Sequence, residues 1–242
     1  MRPRAENAGT AAAPAPVASY RHTAILTAVL LAVAVAGAVA AGASRETAEA
    51  VAPHRAVVVL YLSLLAAEWG LFAYVWRVGL RPHGTRLRDL VGGRWSGWQQ
   101  AVRDLGLAAG LWLAWLGVEH GWDLWVHTGH GRSVGAYLPH GPVEVALWAT
   151  LSLSAGFCEE VTFRGYFQQQ LAALSRHRTA GVVLQAALFG VTHSYQGVAA
   201  ALKIALFGLL YGGLAAWRRT LRPCIAAHAW TDIYAGWLAG LM

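Results

Sequence analysis

The sequence predicts an all-α fold: a polytopic bundle of about seven transmembrane helices, six to eight. Two observations carry this. Of 242 residues, 57% are hydrophobic and only 13% charged, with positive mean hydropathy, which is more apolar than a soluble domain of this size needs to fill its core. The apolar residues also fall in long Leu/Ala/Val/Trp runs without period-two alternation. In lipid only helices and closed barrels satisfy every backbone polar group, and unalternating runs select helices.

Residues 1–20, with Pro3, Pro14 and Pro16 among Ala, Arg and Glu, read as a disordered cytoplasmic tail. Residues 21–139 read as N-terminal transmembrane helices and 140–242 as a C-terminal membrane core. The first apolar run follows basic residues like a signal peptide, yet it is longer than an h-region and further runs follow, so it reads as a retained span. The expected spans are 23–43, 56–76, 104–119, 143–163, 179–195, 198–217 and 223–242, the third and fifth being short for a bilayer core that takes about 20 helical residues. Continuity of the fourth through Gln168-Gln169-Gln170 is open, because that stretch also suits the interface.

The formal charge is +7, but the arginines lie in short gaps between apolar runs, which sets orientation and gives no reason to expect nucleic acid as a partner. With the N-terminus inside, fourteen arginines fall on the cytoplasmic side against Arg45, Arg55 and Arg132 opposite. Eighteen Arg to one Lys, with abundant Ala and Gly, points to a bacterial source and so to a plasma-membrane location. Trp76, Trp95, Trp98, Trp122 and Trp217 fall near span ends, where indoles anchor. Gly208 and Gly212, four apart, let the sixth span approach a neighbour closely. His120, His127, His130 and His140 sit in or near a glycine-rich loop with no fixed ligand geometry. Cys158 and Cys224 read as buried thiols. Glu68 and Lys203, both inside spans, read as a mutual ion pair or as snorkelling side chains.

The C-terminal spans carry residues that lipid does not tolerate without cause: Glu159, Glu160, Arg164, His193, His228 and Asp232. Glu160 and Arg164 are four apart with the acid N-terminal, the favourable order for a helical ion pair. Glu159, turned about 100° away on an α-helix, addresses another surface and stays available for chemistry. If one helix runs from Glu160 to the basic turn at Arg176 and the next climbs back, His193 returns to the depth of Glu160. His228 and Asp232 share a face of the last span, where the aspartate either fixes the imidazole's tautomer or points with it into one cavity. A carboxylate and two imidazoles suit hydrolysis, the acid taking a proton from water and the imidazoles positioning it or steadying an oxyanion. They suit zinc equally, on Glu159, His193 and His228.

These residues form three ordered motifs: Glu-Glu-x-x-x-Arg at 159–164, Phe-x-x-x-His at 189–193 and His-x-x-x-Asp at 228–232. In them the chain resembles the CAAX-protease and bacteriocin-processing (CPBP, or Abi) family of intramembrane endopeptidases, which includes the type II CAAX prenyl proteases. The resemblance covers roughly residues 140–242. It implies a helical bundle around a cavity in which Glu159 and His193 activate water, His228 and Asp232 form the oxyanion site, and Glu160, Arg164 and Phe189 support the pocket. Asp232 stands where the eukaryotic-type pattern has asparagine, and an ionised carboxylate donates no hydrogen bond. The family is often classed as metalloproteases; the metal-free mechanism is preferred here, with no cofactor, and one divalent ion, zinc, is the alternative. The expected partners are the bilayer and a peptide or membrane-protein substrate. The rival readings are a non-catalytic immunity or scaffold protein of the same fold and, less supported, an ion transporter.

Overall fold

The computed structural model describes residues 14–43, 54–126 and 137–239, and these form helices and connecting turns with no strand among them. Helix α1 spans Tyr20–Ala43 and α2 spans His54–Tyr74, the latter continued by a π-helical stretch, Val75–Leu80, and a 3-10 turn, Arg81–His83. A short α3, Leu87–Val91, precedes α4, Trp98–Val126. Helix α5, Pro142–Glu159, runs through a second π-helical stretch, Glu160–Phe167, into α6, Gln168–Ser175. Then come α7, Arg178–Thr192, a 3-10 turn at Ser194–Gln196, α8, Val198–Arg218, and α9, Arg222–Ala239.

Each expected span has its helix, with differences in extent: the second, expected to end at 76, runs on to His83. The third run is apolar only over 104–119, yet α4 is 29 residues long, because Trp98 to Arg103 and His120 to Val126 keep the helix going after the hydropathy falls. The fourth does not stop at 163: it continues unbroken to Ser175, where Arg176 takes a left-handed conformation (φ 61°) and turns the chain. Among the described residues four helices are long and apolar enough to cross a bilayer alone, Tyr20–Gly42, His54–His83, Trp98–Val126 and Val198–Arg218. At 15 residues, or about 22 Å of helix, α7 falls short of a hydrocarbon core about 30 Å thick. The expected tail is described only from Pro14, and His127, His130, Arg2, Arg4, Arg45 and Arg132 lie outside the described residues.

Polar side chains pin the helices together. Gln170 on α6 is fully buried; its Oε1 accepts the Val17 and Ala18 N–H groups at 2.6 and 3.0 Å, and its Nε2 donates to the Ala18 carbonyl and to Thr23. The glutamine stretch is therefore a core element that captures the start of α1, not an interfacial segment. On α8, Gly208 and Gly212 do what small residues four apart predict: Gln185 Nε2 donates to the Gly208 carbonyl at 2.8 Å and Gln168 Nε2 to that of Gly212 at 3.1 Å. A Cβ on Gly208 would lie 2.8 Å from Ala186 Cα, so this contact tolerates no side chain.

Asp104, 2% exposed, joins three elements. It meets Arg222 Nε at 2.9 Å and Arg218 Nη2 at 3.2 Å, and it accepts Trp95 Nε1–H at 2.9 Å. Trp98 and Trp217 are 74% and 70% exposed, as interfacial anchors require, whereas Trp95 is tied into this network.

Candidate active site

The site is assembled by α5 with its π-helical continuation, α7, α8 and α9. Every residue of Glu160–Phe167 is buried. Single-turn π-helical stretches inside α-helices recur at functional sites. Glu160 and Arg164 pair as their spacing predicts, with Nη1 3.0 Å from Oε1 and both side chains wholly shielded from solvent. The guanidinium lies over the Phe189 ring at 4.5 Å, with Phe207 and Tyr211 at 5.6 and 5.7 Å, so ring faces replace water around the charge.

Glu160 has a second partner that no local spacing reveals. Its Oε1 lies 2.9 Å from His228 Nδ1. A carboxylate accepts there, so Nδ1 carries the proton and Nε2 is turned toward the remaining acids. Nε2 is 3.7 Å from Glu159 Oε2 and 3.6 Å from Asp232 Oδ2, within charge range but beyond a direct hydrogen bond. Orientation of His228 thus comes from Glu160, where local spacing offered Asp232. The imidazole is walled by Phe207, Tyr211 and Phe189, with ring centroids at 4.9, 5.9 and 6.4 Å. Glu159 and Asp232 keep 21% and 34% of their side chains exposed, which makes them the accessible edge of an otherwise sealed cluster.

His193 ends α7 half-buried, and its Nδ1 donates to the Phe189 carbonyl at 2.8 Å. That bond commits Nδ1 and leaves Nε2 as an acceptor. Its route to the cluster runs through Phe189, whose ring packs against His193 at 4.8 Å and faces His228 on its other side. The structure therefore brings Glu159, Glu160, Arg164, Phe189, His228 and Asp232 into one contact network, with His193 one ring away.

Close packing holds this geometry. A Cβ on Gly156 would lie 2.8 Å from the Ala229 nitrogen and 2.9 Å from the Ile225 carbonyl, so α5 and α9 touch backbone to backbone one turn from Glu159 and His228. Trp148 Nε1 donates to the Asp232 carbonyl at 2.7 Å and fixes the same interface. Two apolar recesses lie elsewhere on the bundle, one lined by Trp69, Thr150, Leu153, Ser154 and Phe157, the other reaching from Phe157 to Asp104 and Arg222, and neither is lined by a residue of the cluster.

The expected pairing of Glu68 with Lys203 does not occur. Lys203 Nζ meets Glu119 Oε1 at 3.2 Å and Asp123 Oδ1 at 3.5 Å, while Glu68 Oε2 is buried without a hydrogen-bond partner. Cys158 and Cys224 are free and buried, as expected. His140 gives its backbone N–H to Glu144 Oε2 at 2.8 Å, and Glu144 Oε1 takes His54 Nδ1, so that loop acid is engaged locally. Among the described residues no three His, Cys, Asp or Glu side chains are arranged to hold a metal ion. Glu159, His193 and His228, the alternative ligand set, form no such group as placed, although each imidazole is held through Nδ1 and keeps Nε2 unbonded.

The fold and this site define a class: an integral membrane helical protein with a carboxylate–imidazole cluster buried among its C-terminal helices. Residues 141–234 match the family described as Rce1-like, type II CAAX prenyl endopeptidase. The matched stretch contains all three motifs and is similar to CAAX-type proteases. No curated protein and no solved structure matches the chain.

Proposed function

We propose that this protein is an intramembrane endopeptidase that hydrolyses a peptide bond in a membrane-associated peptide or protein, with Glu159 as general base. The observation that carries the reading is the convergence of Glu159 Oε2 and Asp232 Oδ2 on His228 Nε2 at 3.7 and 3.6 Å, at the exposed edge of a sealed site. Separations of that length suit a shared water better than direct bonds.

In this reading Glu159 takes a proton from water as the oxygen attacks the scissile carbonyl carbon. His193, with Nδ1 committed to Phe189, offers Nε2 as an acceptor that helps aim the same water. The carbonyl oxygen gains negative charge and is steadied by His228 in its imidazolium form, which donates from Nε2 while Glu160 and Arg164 hold its Nδ1 side in place. Collapse breaks the C–N bond, and the proton on Glu159 passes to the leaving nitrogen, giving a carboxylate and an amine. Asp232, an acceptor when ionised, orients the Nε2 side of His228 and does not donate to the oxyanion. No step needs a metal, so turnover is expected to survive a chelator. The protein is read as bacterial, with its N-terminus cytoplasmic.

The test uses purified protein in proteoliposomes and quenched fluorogenic peptides tethered to lipid, with and without a prenylated cysteine. Wild type turns over at least one tethered peptide, while Glu159→Ala and His193→Ala do not. Turnover retained in either variant removes the assignment. The immunity or scaffold reading predicts instead a cellular phenotype that persists with alanine at 159.

A further inference from the structure

Between α4 and the start of α9, two guanidinium groups share one acid. Arg222 meets Asp104 through Nε at 2.9 Å and Arg218 through Nη2 at 3.2 Å, with only 9% and 16% of their side chains exposed. Asp104 is fully engaged: Oδ1 takes Arg218, and Oδ2 takes Arg222 and the Trp95 N–H. The group therefore holds one positive charge in excess. Arg222 gives Nη1 to the Gly93 carbonyl at 3.5 Å and lies 5.4 Å over the Trp95 ring, which leaves Nη2 without a partner among the described residues. Arg94, Arg103 and Arg219 stand exposed, each next in sequence to a member of the group.

This charge borders the second recess, which has a volume of about 290 Å³. One end of it is polar, made by Trp95, Asp104 and Arg222; the rest is Val91, Leu105, Phe157, Ile225 and Ala226. Along α9 the change from Arg222 to Ala226 takes four residues, about 6 Å of helix. The polar end is firmly built. The Val91 carbonyl accepts the Thr220 hydroxyl at 2.6 Å and the Leu221 N–H at 3.2 Å, and a Cβ on Gly92 would collide with Thr220.

A shielded guanidinium needs an anion, and here one acid serves two of them. A small anion would answer the charge but leave the apolar slot unfilled. An anionic lipid answers both, and the arginine-rich end of a membrane protein faces the leaflet surface where such lipids lie. We propose that this recess binds an anionic glycerophospholipid, with its phosphate on Arg222 Nη2 and one acyl chain along Leu105, Phe157, Ile225 and Ala226. Asp104 holds the two arginines in place and does not itself meet the phosphate. The site is separate from the carboxylate–imidazole cluster and does not depend on the peptidase reading.

The experiment titrates the full chain in detergent with phosphatidylglycerol, with phosphatidylcholine of the same chains and with inorganic phosphate, reading the melting temperature and the lipid retained in native mass spectrometry. Phosphatidylglycerol is expected to raise the melting temperature and to be retained, because a ligand of the folded state stabilises it by mass action; the other two do neither. Arg222→Lys keeps a charge for Asp104 but loses the planar fork, and should weaken the lipid about tenfold, the scale of one charge-assisted hydrogen bond. Ala226→Phe fills the slot without touching the ion network and should abolish the shift while the lipid-free melting temperature stays near wild type. An equal shift with phosphatidylcholine overturns the headgroup assignment, and one reproduced by inorganic phosphate shows a free-anion site instead of a lipid site. Unchanged phosphatidylglycerol binding in both variants places the lipid elsewhere and also overturns the inference.

Discussion

Helix α1 and the segment Glu160–Phe167 are opposite ways of living in a membrane. Along α1, Val29, Val33, Val35 and Val39 stand exposed, and its place in the bundle comes from a few points: Gln170 and the Tyr166 hydroxyl at its start, and buried Leu26 and Ala34 farther along, where Ser194 donates to the Ala34 carbonyl. Segment 160–167 has every residue buried and carries an acid and a base among its eight. For α1 the lipid supplies the environment, so any apolar side chain of suitable size serves. For 160–167 the protein supplies it, so each polar atom needs a named neighbour. Sequence freedom and chemical capacity therefore divide between them.

Substitutions of graded severity sharpen that contrast. The largest loss is expected at Glu159→Gln, which keeps shape and removes the base: turnover on a tethered peptide falls by about 10²–10⁴ with the melting temperature unchanged. Arg164→Leu comes next, because it strands Glu160 as a buried unpaired charge; a destabilisation of about 3–5 kcal/mol is expected, read from unfolding in detergent. Gly156→Val forces α5 away from α9, and overpacking of this kind costs about 1–3 kcal/mol with activity falling in parallel as His228 leaves Glu159. Gln170→Leu leaves the Val17 and Ala18 amides without an acceptor, at about 1–3 kcal/mol, and should expose the start of α1 to protease before the rest of the bundle. Smallest of all is Val33→Leu on the outer face of α1, expected within about 0.5 kcal/mol of wild type by the same unfolding measurement. A large effect there, or none at Arg164, would break the comparison.

The order of these effects mirrors what was legible beforehand. The three motifs are each local, with partners four residues apart on one helix, and their pairings follow from helical rise and turn alone. Glu160 with Arg164 forms as read, and Phe189 meets His193 both through its backbone carbonyl and through its ring. His228 with Asp232 is drawn together only to 3.6 Å, because the imidazole's hydrogen bond goes to Glu160 on another helix. Asp104 was missed as a structural residue: it sits at the edge of an apolar run, and its arginines lie more than a hundred residues away. Lys203 was paired with the wrong acid for the same reason, since hydropathy places a charge inside a span but does not say which neighbouring helix it faces.

By itself, the sequence determined that this is a helical membrane protein, which half of it carries ionisable groups, and which of those groups share a helix face, since composition and a period of 3.6 residues are properties of the chain alone. Tertiary structure decided which nitrogen of His228 is held and by whom, that Gln170 is core, and that Lys203 pairs with the acids of α4 and not with Glu68. Those outcomes depend on helix rotation and approach, set by side chains such as Gly156, Gly208 and Gln170 meeting partners distant in sequence, and no local pattern encodes a rotation that only packing selects.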